Sequence, residues 1–217
     1  MLADPKYRTA TWLCIFMALV NQLDGANVMN FYSNEIFSNI FGKENTSATV
    51  YGSIMVGVTQ LLGVLTAPVI GSRLGMKKIF VIGHFIQCVL FGLSSLFSYM
   101  DQQIALVGCI LVFLFVFQAG YGSFFFAYVG EVCQEKAVSL AQFSLYVGII
   151  SISLSTESLF STFGTTKTFS IFCILNLLGG LFIAICSKEI TGLSKKELEQ
   201  LYLPDINKQK ETTNYKH

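Results

Sequence analysis

Charge is what this sequence has least of. Only 12% of its 217 residues are Asp, Glu, Lys or Arg, while 53% are hydrophobic, and the mean hydropathy is +0.61. A soluble domain carries about 25% charge, so an ordinary water-soluble fold is excluded. The net charge of +1 leaves no field that would draw nucleic acid. Histidine is also scarce, with two residues, and the six cysteines (Cys14, Cys88, Cys109, Cys133, Cys173, Cys186) form neither a C-x-x-C pair nor a cluster with histidine. They read as small apolar residues within helices rather than metal ligands or disulfides. No nucleophile–base spacing, metal-ligand pattern or phosphate loop is present, so the sequence points away from an enzyme and implies no cofactor.

A cleavable signal is missing as well. Lys6 and Arg8 precede an apolar stretch, but the polar run Asn21-Gln22-Leu23-Asp24-Gly25 follows where a small-residue cleavage site would stand. With Met1 shortly ahead of the first span, the chain is expected to be a whole short gene product.

What is there is long apolar blocks. A spanning helix needs roughly 20 mostly apolar residues, and hydropathy places six spans at about Thr11–Ile36, Ala48–Ile70, Ile79–Tyr99, Gln103–Val129, Leu140–Phe160 and Phe169–Cys186. The expected organisation is a short N-terminal segment (1–10), an all-α six-helix transmembrane bundle (11–186), an amphipathic C-terminal helix (187–203) and a polar tail (204–217). An even span count puts both termini on one side. That side holds Lys6, Arg8, Arg73, Lys77, Lys78, Lys136, Lys188 and the tail lysines, against Lys43 and Lys167 opposite. The positive-inside rule therefore places the termini in the cytosol, or in the matrix of an organelle. Asn45-Thr46-Ser47 is a glycosylation sequon in a loop on the other side, readable only in the secretory pathway. Ser194-Lys195-Lys196-Glu197 has the pattern of a capping box, from which a short helix should run to about Leu203 and stop at Pro204. The polar segment Asp205–His217 would be disordered unless a partner held it.

Polar residues inside lipid are costly, so their placement says what each helix touches. In the first span Asn21, Gln22, Asp24, Asn27 and Asn30 project all round a regular helix and leave no wide apolar face. Such a helix must be broken, enclosed by protein or lining a wet cavity, and Gly25 is the natural breaking point. Asp24 reads either as a proton or cation site near mid-bilayer, or as a carboxyl that is neutral or bonded to neighbouring amides. Small and polar residues line one face each of spans two (Ser53, Gly57, Gln60, with Gly63, Ala67 and Gly71 on another), five (Ser144, Gly148, Ser151, Ser155) and six (Cys173, Asn176, Gly180), a spacing that suits close helix packing. His84 reads as a packing residue rather than a ligand. The phenylalanines at 113, 115, 117 and 124–126 read as lipid-facing and core bulk.

The order of these features resembles the C-terminal six helices of a sugar porter of the major facilitator superfamily. Asp4-Pro5-Lys6-Tyr7-Arg8, Asn21-Gln22-Leu23-Asp24-Gly25-Ala26-Asn27 and Asn30-Phe31-Tyr32-Ser33 are similar to that family's seventh helix. Ser72-Arg73-Leu74-Gly75-Met76-Lys77-Lys78 resembles its loop between helices eight and nine. Gly120-Tyr121-Gly122 with Tyr128-Val129-Gly130-Glu131-Val132 resembles helix ten, and Glu189 with Gly192 the tail. The resemblance implies half of a major facilitator fold, a 3+3 inverted repeat. It carries the family's sugar-binding positions onto Asn21, Gln22, Asn27 and Gln60, with Gln118 in place of a Glu. It also leaves loop-motif remnants at Arg73, Gly75, Lys77 and Glu131.

The departures are as informative. Asp24 replaces a neutral Ser or Thr, Ser72 an acid, Met76 an arginine and Val138 the arginine partner of Glu131. Tyr121, Ser123 and Phe125 stand where prolines bend helix ten, Phe126 where a tryptophan stands, and Ile149–Ile150 where an Asn-Trp pair stands. The resemblance therefore implies a half-bundle that does not transport alone and is retained as an accessory subunit of a larger membrane complex. The alternative is a working half-transporter for a sugar or small polar solute, paired with itself or with a separate N-terminal half. The expected partners are the lipid bilayer and either other membrane subunits or a second half-bundle, which would cover a face bearing Asn21, Gln22, Asp24, Asn27, Gln60 and Gln118. Lys195–His217 would rest on a soluble partner domain.

Overall fold

In lipid every backbone polar group must be satisfied within the protein, which leaves an apolar chain of this kind the α-helix or a closed barrel. The computed structural model, described over residues 5–41 and 46–202, is helical throughout. Its elements are α1 (Pro5–Leu23), α2 (Ala26–Phe41), α3 (Thr46–Leu74), α4 (Met76–Tyr99), α5 (Gln103–Ala119), α6 (Tyr121–Val132), α7 (Glu135–Cys186) and α8 (Lys195–Leu201). Among the described residues five helical stretches are long and apolar enough to cross a membrane: Tyr7–Phe37, Val50–Leu74, Met76–Tyr99, Gln103–Val132 and Glu135–Cys186. The fold is an all-α polytopic membrane fold. Asn45, Lys43, Pro204 and the tail to His217 lie outside the described residues, and with them the sequon asparagine and the expected helix stop.

Three of these stretches are interrupted, each at a glycine. The first breaks between α1 and α2, where Gly25 has φ 85°. A Cβ there would lie 2.6 Å from the ring of Phe91 and 2.9 Å from that of Phe172, so both the backbone and the packing require glycine. The fourth breaks at Gly120 (φ −119°, ψ −105°), between α5 and α6. Loss of the family's prolines at 121, 123 and 125 therefore does not leave this span continuous, because the Gly120 backbone makes the interruption. The 52 residues of α7 turn at Gly164 (φ 74°, ψ 166°), their one non-helical residue. Unbroken, they would reach about 78 Å at 1.5 Å per residue, far beyond a hydrocarbon core of roughly 30 Å.

The core has two apolar clusters. One, around Met17, Phe80, Tyr121, Tyr128 and Ile183, also takes in Tyr202 after α8. The other gathers Met29, Phe91, Ile110, Phe113, Phe169 and Phe172. The phenylalanine run divides accordingly: Phe113 and Phe125 are fully buried, whereas Phe126 is exposed. Helix α3 is the most open element, with only 11% of its apolar window buried. It approaches α5 at Gly63, where a Cβ would meet Gln118 Cβ and the Phe115 carbonyl at 2.9 Å, and it meets Phe124 at Gly71. Those two glycines serve helix packing.

The capping box forms as the sequence suggests. Ser194 N donates to Glu197 Oε2 (2.7 Å) and Glu197 N donates to Ser194 Oγ (3.4 Å). The helix it starts folds back on its own bundle. Tyr202 is buried, its hydroxyl pairs with that of Tyr128 (2.7 Å) and accepts from Lys188 N (2.8 Å), and Leu198 and Leu201 pack on the first cluster. The described end of the chain, up to Tyr202, thus packs on this bundle.

Candidate functional site

The amides of the first span converge because the chain breaks between them. Gln22 Nε2 donates to Asn21 Oδ1 (2.8 Å), and Asn27 Nδ2, on α2, donates back across the break to Gln22 Oε1 (2.8 Å). One turn on, Gln60 Nε2 of α3 donates to Asn30 Oδ1 (2.7 Å). Asn21, Gln22, Asn27, Asn30 and Gln118 all line a cavity of about 190 Å³, floored by Phe117, Phe125 and Phe126 and bordered by Leu145 and Ile149 of α7. Gly148 makes room for this arrangement, since a Cβ there would lie 2.7 Å from Gln22 Cγ. The halves of two interrupted spans, α1–α2 and α5–α6, thus set five amides beside aromatic rings. Such a surface offers neutral donors and acceptors together with apolar faces, the chemistry that hydroxyl-rich neutral solutes match.

Asp24 does not share that face. It is 1% exposed on the core side of the break, where Oδ1 accepts from Ala26 N (2.9 Å) and so caps the start of α2. Its carbonyl accepts from Asn176 Nδ2 of α7 (2.8 Å), which also donates to the Phe172 carbonyl (2.9 Å). This corrects the expectation that placed Asp24 on the amide surface. His84, fully buried, packs edge-on against the Tyr121 ring (4.8 Å) and against Gly179 and Gly180. Gln87, one turn from it on α4, is equally buried. Its sequence signal is the i, i+3 spacing from His84 within an apolar span. Leaving such groups without partners costs about 1–3 kcal/mol each.

The loop-motif remnants part company. Gly75 (φ 79°) precedes α4, and a Cβ there would lie 2.7 Å from the Glu189 carboxylate. That carboxylate accepts from Met76 N (3.0 Å) and Lys77 N (3.2 Å), capping α4, and from Ile190 N and Thr191 N. Partial burial works to raise the Glu189 pKa, but the hydrogen bonds from Thr191, Ile190 and Met76 outweigh it and hold the carboxyl below its ordinary range. Lys77 therefore contributes its backbone at this junction. The side chains of Arg73 and Glu131 are exposed, and Glu131 lines a separate cavity beside Gln134 and Tyr202. A cavity of about 600 Å³ lies between α2 and α7 at Tyr32, Glu35, Thr156 and Glu157 and includes none of the carried-over amides. Among the described residues no group of three or more His, Cys, Asp or Glu could hold a metal ion.

The model of the family described as "Sugar (and other) transporter" matches residues 1–202. The chain belongs to the sugar transporter family. Its relatives include the arabinose-proton symporter of Bacillus subtilis, 27% identical over 93% of this chain and 44% of that protein. Hexose transporter 1 of Toxoplasma gondii is 27% identical over 90% of this chain and 36% of that protein. A crystal structure of a double-tryptophan mutant of XylE superposes with a TM-score of 0.78 at 20% identity, covering 89% of this chain and 43% of that one, so the two share a fold. The chain spans less than half the length of these relatives. Membership in a non-catalytic transporter family agrees with the lack of catalytic patterning.

Proposed function

We propose that this chain forms the C-terminal half of a sugar-porter-type major facilitator fold, six spans in a 3+3 inverted repeat, and that it does not move solute alone. The Gly164 turn supports the sixth span, because it divides a helix too long for one crossing into two arms. The distribution of lysine and arginine supports termini on the cytosolic or matrix side. The observation that carries the reading is the amide cavity of α1, α2, α5 and α6, which this bundle walls on one side. Alternating access requires two bundles moving about a site between them. Amides left against hydrocarbon would each cost several kcal/mol, on the order of the penalty for unsatisfied polar groups in lipid. A second helical bundle, joined to this chain or separate, covers that face.

Within that assembly the half-bundle acts as an accessory, structural part. The exposed side chains of Arg73 and Glu131, remnants of the loop motifs, favour this role. A second reading, that the amides form one wall of a working pathway for a sugar or small polar solute, is favoured by the hydrogen-bonded set Asn21–Gln22–Asn27. Uptake by proteoliposomes containing the chain alone tests the first claim, with no saturable hexose uptake expected. Saturable uptake lost on Gln22→Ala or Asn27→Ala would overturn it and establish the second reading.

A further inference from the structure

The layer between the two apolar clusters carries more acceptors than donors. On α1–α2, Asp24 lies between Ala18 of the first cluster and Ala26 of the second. On α4, His84 and Gln87 lie between Phe80 and Leu90. On α7, Asn176 lies between Phe172 and Ile183. The Asn176–Asp24 hydrogen bond ties two of these helices at that level, and His84 Nε2 faces Gly179, one turn from Asn176. All four side chains are at most 1% exposed.

Their hydrogen bonds fix which atoms remain. His84 Nδ1 lies 2.9 Å from the Phe80 carbonyl, which can only accept, so Nδ1 carries the hydrogen and Nε2 of the neutral ring is an acceptor. Asn176 Nδ2 donates to two carbonyls, which leaves Oδ1 as its free atom. Asp24 Oδ2, His84 Nε2, Asn176 Oδ1 and both polar atoms of Gln87 have no hydrogen-bond partner among the described residues. The free atoms of this layer are therefore four acceptors and a single donor group, the Gln87 amide. Buried polar groups of this kind are met by internal water or a bound ion, and a set short of donors calls for a cation. Only three of the free acceptors are oxygens; the fourth is an imidazole nitrogen, and the remaining free group is an amide NH₂. That mixture suits a proton better than a hard metal cation, which takes oxygen ligands throughout.

We propose that this layer is a proton-binding site, in which the Asp24 carboxylate and the His84 imidazole share one proton through buried water, with Gln87 and Asn176 as fixed amide partners. The site lies behind the amide cavity, on the opposite side of the same helix break, and does not depend on whether a sugar is carried. The other titratable groups nearby are engaged elsewhere. Tyr121 of α6 donates to the Met17 carbonyl, Cys14 of α1 pairs with Cys133, and Cys88 of α4 pairs with Cys173 of α7. Cys109 of α5 lies by Ser94, further along α4, and Tyr32 and Glu35 lie further along α2.

Infrared difference spectroscopy of the full chain in lipid, taken through an acid-to-alkaline titration, tests the proposal. A protonated-carboxyl C=O band is expected to titrate in the wild type, to vanish in Asp24→Asn and to shift its midpoint in His84→Gln. Asparagine at 24 can still accept from Ala26 N, so the helix cap survives that substitution. His84→Gln carries the test independently, because it leaves the carboxyl in place. Absence of an Asp24-dependent band at every pH would overturn the proposal, as would a midpoint indifferent to His84→Gln. So would a rise in melting temperature in sodium chloride over choline chloride that Asp24→Asn abolishes, which would assign the site to a metal cation.

Discussion

On the cavity side of the α1–α2 break, Gln22 both donates and accepts, Asn27 reaches back across the gap, and Gln60 meets Asn30. On the core side, a few ångströms through the same backbone, Asp24, His84, Gln87 and Asn176 keep free polar atoms although they are fully buried. Asparagine and glutamine occur on both sides, so the presence of amides does not explain the difference. The cavity side is open enough for side chains to find one another. On the core side three of the four side chains are held by backbone duty: Asp24 caps α2, Asn176 closes the Asp24 and Phe172 carbonyls, and His84 is fixed to Phe80. A broken membrane helix needs neighbours to satisfy its freed backbone groups, and here that demand falls on one side of the break.

The largest effect is expected where the two sides meet. Gly25→Ala places a Cβ against Phe91 and Phe172 at a left-handed backbone position, which should cost about 2–4 kcal/mol from strain and overpacking together. A thermal melt of the purified protein unchanged by this substitution would break the comparison. Next comes Asn176→Leu, which removes both amide donations and leaves the Asp24 carbonyl unpaired in the core. A loss of about 1–3 kcal/mol is expected in the same melt.

A reference outside both sides is Glu189→Gln, which weakens the α4 cap by about 1 kcal/mol. Its pH dependence has a definite sign. The folded-state pKa of Glu189 is lowered, so its stabilisation is present above the ordinary carboxylate range and is lost as pH falls through the folded value. The wild type should therefore lose stability on acidification more steeply than Glu189→Gln, as parallel melts would register. The smallest effect belongs to the cavity side: Gln22→Ala should cost under about 1 kcal/mol, since its partners Asn21 and Asn27 both line the cavity. A loss as large as that of Asn176→Leu would erase the distinction between the two sides.

The break at Gly25 could be read from the sequence because polar residues all round a helix, with glycine among them, cannot stand as one regular span in lipid. The direction of Asp24 could not be read. Angles projected round a continuous helix lose their meaning once a residue with φ 85° rotates the second half against the first. The capping box at Ser194 was legible because it spans one turn, whereas the Glu189 cap on Met76, 113 residues away, has no local signature. The interruption at Gly120 has no proline to mark it, because here a glycine backbone makes the break. A lone glutamine in an apolar span, such as Gln87, carries no local signal, because its complete burial is set by the fold.

The central claim is that another helical bundle covers the amide cavity. A photo-reactive amino acid placed at Gln118, activated in the native membrane and followed by mass spectrometry of its adducts, tests this most directly. The account predicts cross-links to helical protein segments outside residues 5–202, whether of this polypeptide or of another. Adducts with lipid alone would contradict it.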